Sequence, residues 1–128
     1  MADVYKICDL DRALYRCVAP DITTSEVILT DERVRHIQER HPGDFERYAG
    51  YLAEIVRVPD YILAAGKPNT AFLLKEISDA GDQFQLILRL AVSGDPEGYK
   101  NSVITFLKVE KKRYLRYLRT KKILYKCE

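Results

Sequence analysis

The hydrophobic periodicity of this chain predicts an α+β fold, with helices set apart from an antiparallel sheet. Three observations carry the prediction. Apolar residues recur at spacings of three and four between Thr30 and Arg57, then change to strand-like runs from Tyr61 onward. The turns between those runs are short, so successive strands are antiparallel neighbours. The helices precede the strands instead of alternating with them, which packs them on one face of a four-stranded meander.

Each element has its own local reason. Residues 4–8 and 13–19 read as a short N-terminal β-hairpin, with Asp9 to Arg12 as its turn and Cys8 and Cys17 facing each other across it. Pro20 and Asp21 end that pattern, and Glu26 to Leu29 is a brief apolar stretch with the character of a strand end. Thr30 reads as a helix N-cap, and the acids Asp31 and Glu32 suit the positive end of a helix. The helix runs to about His41, where Pro42-Gly43 stops it. A second helix spans about Asp44 to Arg57, with Phe45, Tyr48, Leu52, Ile55 and Val56 on one face. Tyr61–Ala65, Ala71–Ile77, Phe84–Val92 and Ser102–Val109 are the four strands, separated by turns at Gly66–Asn69, Ser78–Asp82 and Gly94–Gly98. Asp79, Asp82 and Asp95 read as turn residues. A basic helix with Tyr114, Leu115, Tyr117 and Leu118 follows, and Ile123–Tyr125 adds an extended piece. The organisation expected is a hairpin extension over residues 1–24 and a compact domain over 25–128.

Composition bounds the function. At 128 residues, with 47% hydrophobic and 31% charged residues, the chain fits one globular domain and neither a disordered nor a fibrous class. No apolar run approaches the roughly 18 residues of a membrane helix and no signal-peptide pattern opens the chain, so a soluble cytoplasmic protein is expected. The three cysteines form no CxxC pair and no zinc-type spacing with histidine, which predicts free thiols and no metal or cofactor. Net charge is only +2, but residues 108–126 hold nine basic residues against the single acid Glu110. Such a stripe suits a polyanion or, equally, a solvated helix face.

The residues that can carry chemistry are few. Both histidines lie in Arg33-Val34-Arg35-His36-Ile37-Gln38-Glu39-Arg40-His41. His36 and Arg40 share a helix face, whereas His41 falls beside Val34 and Ile37 and is the more sheltered of the two. One histidine can move protons near neutral pH while the arginines hold an anion; alternatively, His41 is a cap residue and His36 simply surface. Lys75, Arg89, Ser102 and Thr105 lie inside apolar strands. They are either outward-facing residues or, if register puts them on one face, a cationic patch bearing hydroxyls and suited to a phosphodiester. There is no phosphate-binding Gly-rich loop and no GxSxG.

Thr30-Asp31-Glu32-Arg33, His36-Ile37-x-x-Arg40-His41-Pro42, Pro59-Asp60-Tyr61-Ile62, Lys75, Arg89, Asn101-Ser102-Val103-Ile104-Thr105 and Leu124-Tyr125 together resemble the phage and prophage nucleases of the barnase, EndoU, colicin and RelE-like group, over about residues 25–126. The resemblance implies a metal-independent endoribonuclease of that fold, in which the 2′-hydroxyl attacks the adjacent phosphate to leave a 2′,3′-cyclic phosphate. It implies His36 or His41 as general base or acid, Arg40, Lys75 and Arg89 on the phosphate, and Ser102 and Thr105 orienting it. Arg33, Lys112, Arg113, Arg116, Tyr117, Arg119 and Tyr125 would bind RNA by charge and stacking. It implies a phage-encoded effector or toxin, restrained by an immunity or inhibitor protein or delivered into another cell. Two other readings fit the same scaffold: a non-catalytic RNA- or DNA-binding module, and a phage accessory interaction domain.

Overall fold

The computed structural model describes residues 3–77 and 81–127. Among them, seven strands form one sheet: β1 (Val4–Asp9), β2 (Glu26–Thr30), β3 (Tyr61–Ala64), β4 (Thr70–Ile77), β5 (Asp82–Arg89), β6 (Asn101–Val109) and β7 (Ile123–Lys126). Their order is β1-β2-β6-β5-β4-β3-β7. The centre of the sheet is the expected antiparallel meander β3-β4-β5-β6. The expectation of four strands is corrected to seven, because both edges are extended. β2 adds in parallel beside β6 and carries β1, while β7 closes the other edge against β3.

The N-terminal hairpin is also corrected. β1 pairs with β2, with Cys8 opposite Val27, and residues 13–19 form no strand. Asp11 is the cause: its carboxylate accepts from the Ala13 and Leu14 N–H groups and caps a one-turn helix, α1 (Arg12–Tyr15). Tyr15 is then fully buried and donates its hydroxyl to the Val56 carbonyl. Cys8, Cys17 and Cys127 form no disulfide with one another.

Helix α2 (Asp31–Arg40) begins as expected, with the Thr30 hydroxyl accepting from the Arg33 N–H at 3.3 Å. The second expected helix is broken into α3 (Asp44–Tyr48), a 3₁₀ turn at Ala49–Tyr51 and α4 (Leu52–Arg57). Gly50, a poor helix former, sits in the break. The turn expected at Ser78–Asp82, Asp79 included, lies largely outside the described residues. The basic helix α5 (Lys111–Thr120) is present.

Helices cover both faces of the sheet, not one. Val34, Ile37, Tyr48, Leu52, Ile55 and Val56 from α2–α4 bury against Leu73, Phe84, Leu86, Leu88, Val103 and Phe106 in the main core. On the other face α5 lays Tyr114 over Leu63, Phe72, Leu74, Leu107 and Val109. At ten residues α5 is too short to span this face, and the end of the sheet near Thr70, Arg89 and Ser102 stays open.

Candidate active site

Strand register sorts the strand residues. Directly paired residues share a face. Thr70 pairs with Arg89, and Arg89 with Ser102, so these three stand in a row across β4, β5 and β6 on the α5 side. Thr105 pairs with Ile87 and faces the same way, because a register shift after Ile87 makes room for Ile104 between Val103 and Thr105. Lys75 does not join them. It pairs with Phe84 of the main core and therefore faces the helices α2–α4. There its side chain is 13% exposed and its ammonium meets Asp60 at 3.3 Å and Glu54 at 3.9 Å. Its place inside an apolar strand is explained by these carboxylates, and its expected convergence with Arg89 is corrected.

The open end of the sheet forms a cleft of about 560 Å³. Thr70, Ile87, Arg89 and Ile104 line it from the strands, Lys67, Pro68 and Asn69 from the β3–β4 turn, and Arg33 from the first turn of α2. The turn is held by Asn69 in the left-handed region (φ 55) and by the Thr70 hydroxyl donating to the Pro68 carbonyl at 2.9 Å. Arg33 and Lys67 line the cleft and have no carboxylate partner among the described residues.

Arg89 is held more firmly. Its two terminal nitrogens reach Asp95 at 3.1 and 2.9 Å, and one of them also donates to the Leu90 carbonyl. Its guanidinium lies 5.4 Å from the centre of the Tyr99 ring. Asp95 further accepts the Val92 N–H at 2.9 Å. These bonds hold the Asp95 carboxyl below its ordinary range and push the guanidinium of Arg89 up. Three of the five guanidinium N–H donors are used in this way, which leaves two for a substrate oxygen. Asp95, read from composition as a turn residue, is thus the partner that fixes Arg89.

Neither histidine lines the cleft. His36 is exposed and lies one turn beyond Arg33 on the surface of α2. His41 is half-buried as the C-cap residue, its N–H donating to the Ile37 carbonyl at 2.8 Å. It lies about 12 Å along the helix axis from Arg33, by the rise per residue. Arg40 is exposed in the last turn, where a cation suits the negative helix end.

The residues expected to bind RNA are spread more widely. Lys112, Arg113, Arg116 and Arg119 are exposed on α5. Tyr117 sits edge-on against Phe72 at 4.8 Å, and its hydroxyl accepts from Arg113 at 2.6 Å. Tyr125 is corrected: on β7 it pairs with Ile62 and packs on the main core, facing away from the cleft. Lys67, Asp95 and Tyr99 carry no signal beyond turn composition in the sequence.

A family model described as phage-Barnase-EndoU-ColicinE5/D-RelE like nuclease2 matches residues 10–126. Neither the curated proteins nor the solved structures give a match. The match covers nearly the whole chain and begins inside the segment expected to be an N-terminal extension. An α+β sheet with a cation-lined cleft on one face is thus the form taken by a member of this family: the chain belongs to the phage-Barnase-EndoU-ColicinE5/D-RelE like nucleases.

Proposed function

We propose that this nuclease is a metal-independent endoribonuclease. The cleft carries the reading: Arg33 and Lys67, two cations without carboxylate partners among the described residues, line it together with Thr70 and Arg89, and Ser102 stands in register beside Arg89. Arginine and lysine at the cleft can bear on the charge of a bound phosphate. The 2′-hydroxyl attacks the neighbouring phosphorus and the bond to the 5′ oxygen breaks, leaving a 2′,3′-cyclic phosphate and a 5′-hydroxyl. One group must take the 2′ proton and another must supply one to the 5′ oxygen. His36 is the better placed of the two histidines for one of these transfers, next to Arg33 on α2. Arg33, Lys67 and Arg89 hold the non-bridging oxygens, and Ser102, in register with Arg89, orients them. Such an enzyme acts as a phage-encoded effector, held in check by an inhibitor protein or delivered into another cell.

The test is cleavage of total RNA by the purified chain in EDTA, beside His36→Ala and His41→Ala. EDTA-resistant cleavage with cyclic-phosphate ends is expected, with a loss of about 10²–10⁴-fold in His36→Ala and a small effect in His41→Ala. Cleavage that EDTA abolishes overturns the metal-independent mechanism. A binding module is the second reading, favoured by the position of both histidines outside the cleft. It predicts salt-sensitive RNA binding without cleavage.

A further inference from the structure

A second cleft, of about 520 Å³, opens beside the first. It is formed by the loop between β5 and β6 and by Thr23 and Thr24, which precede β2. Asp95 and Tyr99 line it, and both also touch Arg89, which lines the first cleft. The two spaces are therefore neighbours across one guanidinium.

The loop is built rather than slack. The Asp95 N–H donates to the Val92 carbonyl and the Tyr99 N–H to the Pro96 carbonyl, at 2.9 and 3.1 Å, so two successive turns carry the chain to Tyr99. Gly98 supplies the left-handed conformation (φ 85) just before it. Asp21 ties the loop to the N-terminal segment by accepting from the Ser93 N–H and hydroxyl. Asn101, fully buried, fixes its far end: it accepts from Ala91 N–H and donates to the Thr24 and Glu26 carbonyls. Tyr99 is nonetheless 40% exposed, a large aromatic ring left open on a fixed loop.

We infer that this second cleft is a nucleobase subsite, in which the Tyr99 ring stacks the base of a nucleotide whose phosphate lies in the first cleft. The inference rests on the nuclease reading and adds a residue and a site to it. An exposed ring beside an anion-binding cleft offers every base a π-face without demanding a sequence. Arg89 lies over the same ring, so phosphate and base are gripped by two side chains already in contact. The Lys100 side chain, paired with Glu26 at 3.5 Å, and Glu97 complete the cleft wall, so the cleft itself is not strongly cationic and the phosphate is left to the first cleft.

The probes are a fluorescent 2′-O-methyl oligoribonucleotide hexamer, which cannot be cleaved by 2′-hydroxyl attack, and a sugar-phosphate hexamer of the same length lacking bases. Their binding to the full chain is compared with that of Tyr99→Ala and Tyr99→Phe, each checked for folding by circular dichroism. Tyr99→Ala is expected to weaken binding of the base-bearing hexamer by roughly five- to a hundredfold, the range for losing one stacked base. It is expected to leave the abasic hexamer unchanged, and Tyr99→Phe to bind both as the parent does. Equal weakening of both probes by Tyr99→Ala would mean that the ring only positions Arg89 and would overturn the subsite. So would unchanged binding of the base-bearing hexamer. If the parent chain binds neither probe, the nucleic-acid reading itself fails and the subsite falls with it. If Tyr99→Ala does not fold, a Tyr99→Leu variant that binds the base-bearing hexamer like the parent overturns the subsite, and selective weakening supports it.

Discussion

Asn101 shows how much one residue can carry. It is polar, fully buried, and ties Ala91, ten residues away, to Thr24 and Glu26, more than seventy residues away. In Asn101→Ala the Ala91 N–H and the Thr24 and Glu26 carbonyls lose their partner inside the fold, where an unsatisfied group costs about 1–3 kcal/mol. A loss of about 2–4 kcal/mol is expected, measured as a lower urea midpoint at unchanged slope. A loss under about 0.5 kcal/mol would mean that water reaches these groups. Asp95 makes a pH-dependent contribution of known sign. Its carboxyl is held low by Arg89 and by the Val92 N–H, so the folded state binds its proton less readily than the unfolded chain. The stabilisation is therefore present above the ordinary carboxyl value near 3.9 and is lost as pH falls through the folded value. Asp95→Asn should be less stable than the parent at neutral pH, and the gap should shrink below about pH 4. Urea midpoints at the two pH values check this; a gap that stays constant would assign the effect to packing.

Elements differ in how far their sequence discloses them. The meander β3–β6 was legible because each strand is an apolar run bounded by turn residues, and because neighbours in sequence are neighbours in the sheet. α2 was legible from its cap, and β7 from its short extended run. The failures are local competitions or non-local pairings. Residues 13–19 have strand-like composition, yet the Asp11 carboxylate captures two N–H groups and turns the chain into α1. The parallel pairing of β2 with β6 joins segments more than seventy residues apart, and no short-range pattern announces it. The candidate site divides along the same line. Arg33 and Arg89 could be named from residue type, but the exclusion of Lys75 follows from strand parity, which one register step reverses. Asp95 reads as a turn residue and Tyr99 carries no signal of its own, because their meaning lies in a guanidinium that only the fold brings to them.

At the scale of the molecule, charge is distributed so that the two roles of a nuclease separate. Net charge is small, so long-range attraction to a polyanion cannot come from the average. In the proposed function it would come from α5, whose Lys112, Arg116 and Arg119 follow one another at spacings of four and three and form a single exposed stripe. α5 packs on the same sheet face that opens into the cleft, so a strand held at Arg33 and Arg89 has a path toward this stripe. The stripe would then supply affinity that carries no sequence information, while the cleft supplies the chemistry. Salt dependence separates the two contributions. Each phosphate contact to a single strand adds about 0.7 to the slope of log K against log salt. Replacing Lys112, Arg116 and Arg119 together by alanine should flatten that slope by about 2. None of the three is in an ion pair among the described residues, so the fold should tolerate the change. Arg33→Ala should flatten the slope by less than about 1 and instead lower cleavage at saturating RNA, because the proposed function puts its contact on the reacting phosphate. Fluorescence polarisation titrations with the 2′-O-methyl hexamer and with a longer oligomer would settle the geometry. The triple variant should weaken the longer oligomer more than the hexamer, since only the longer chain reaches from the cleft onto α5. Equal weakening of both would place α5 at the cleft itself, and no weakening of either would make its charges a solvated surface with no part in binding.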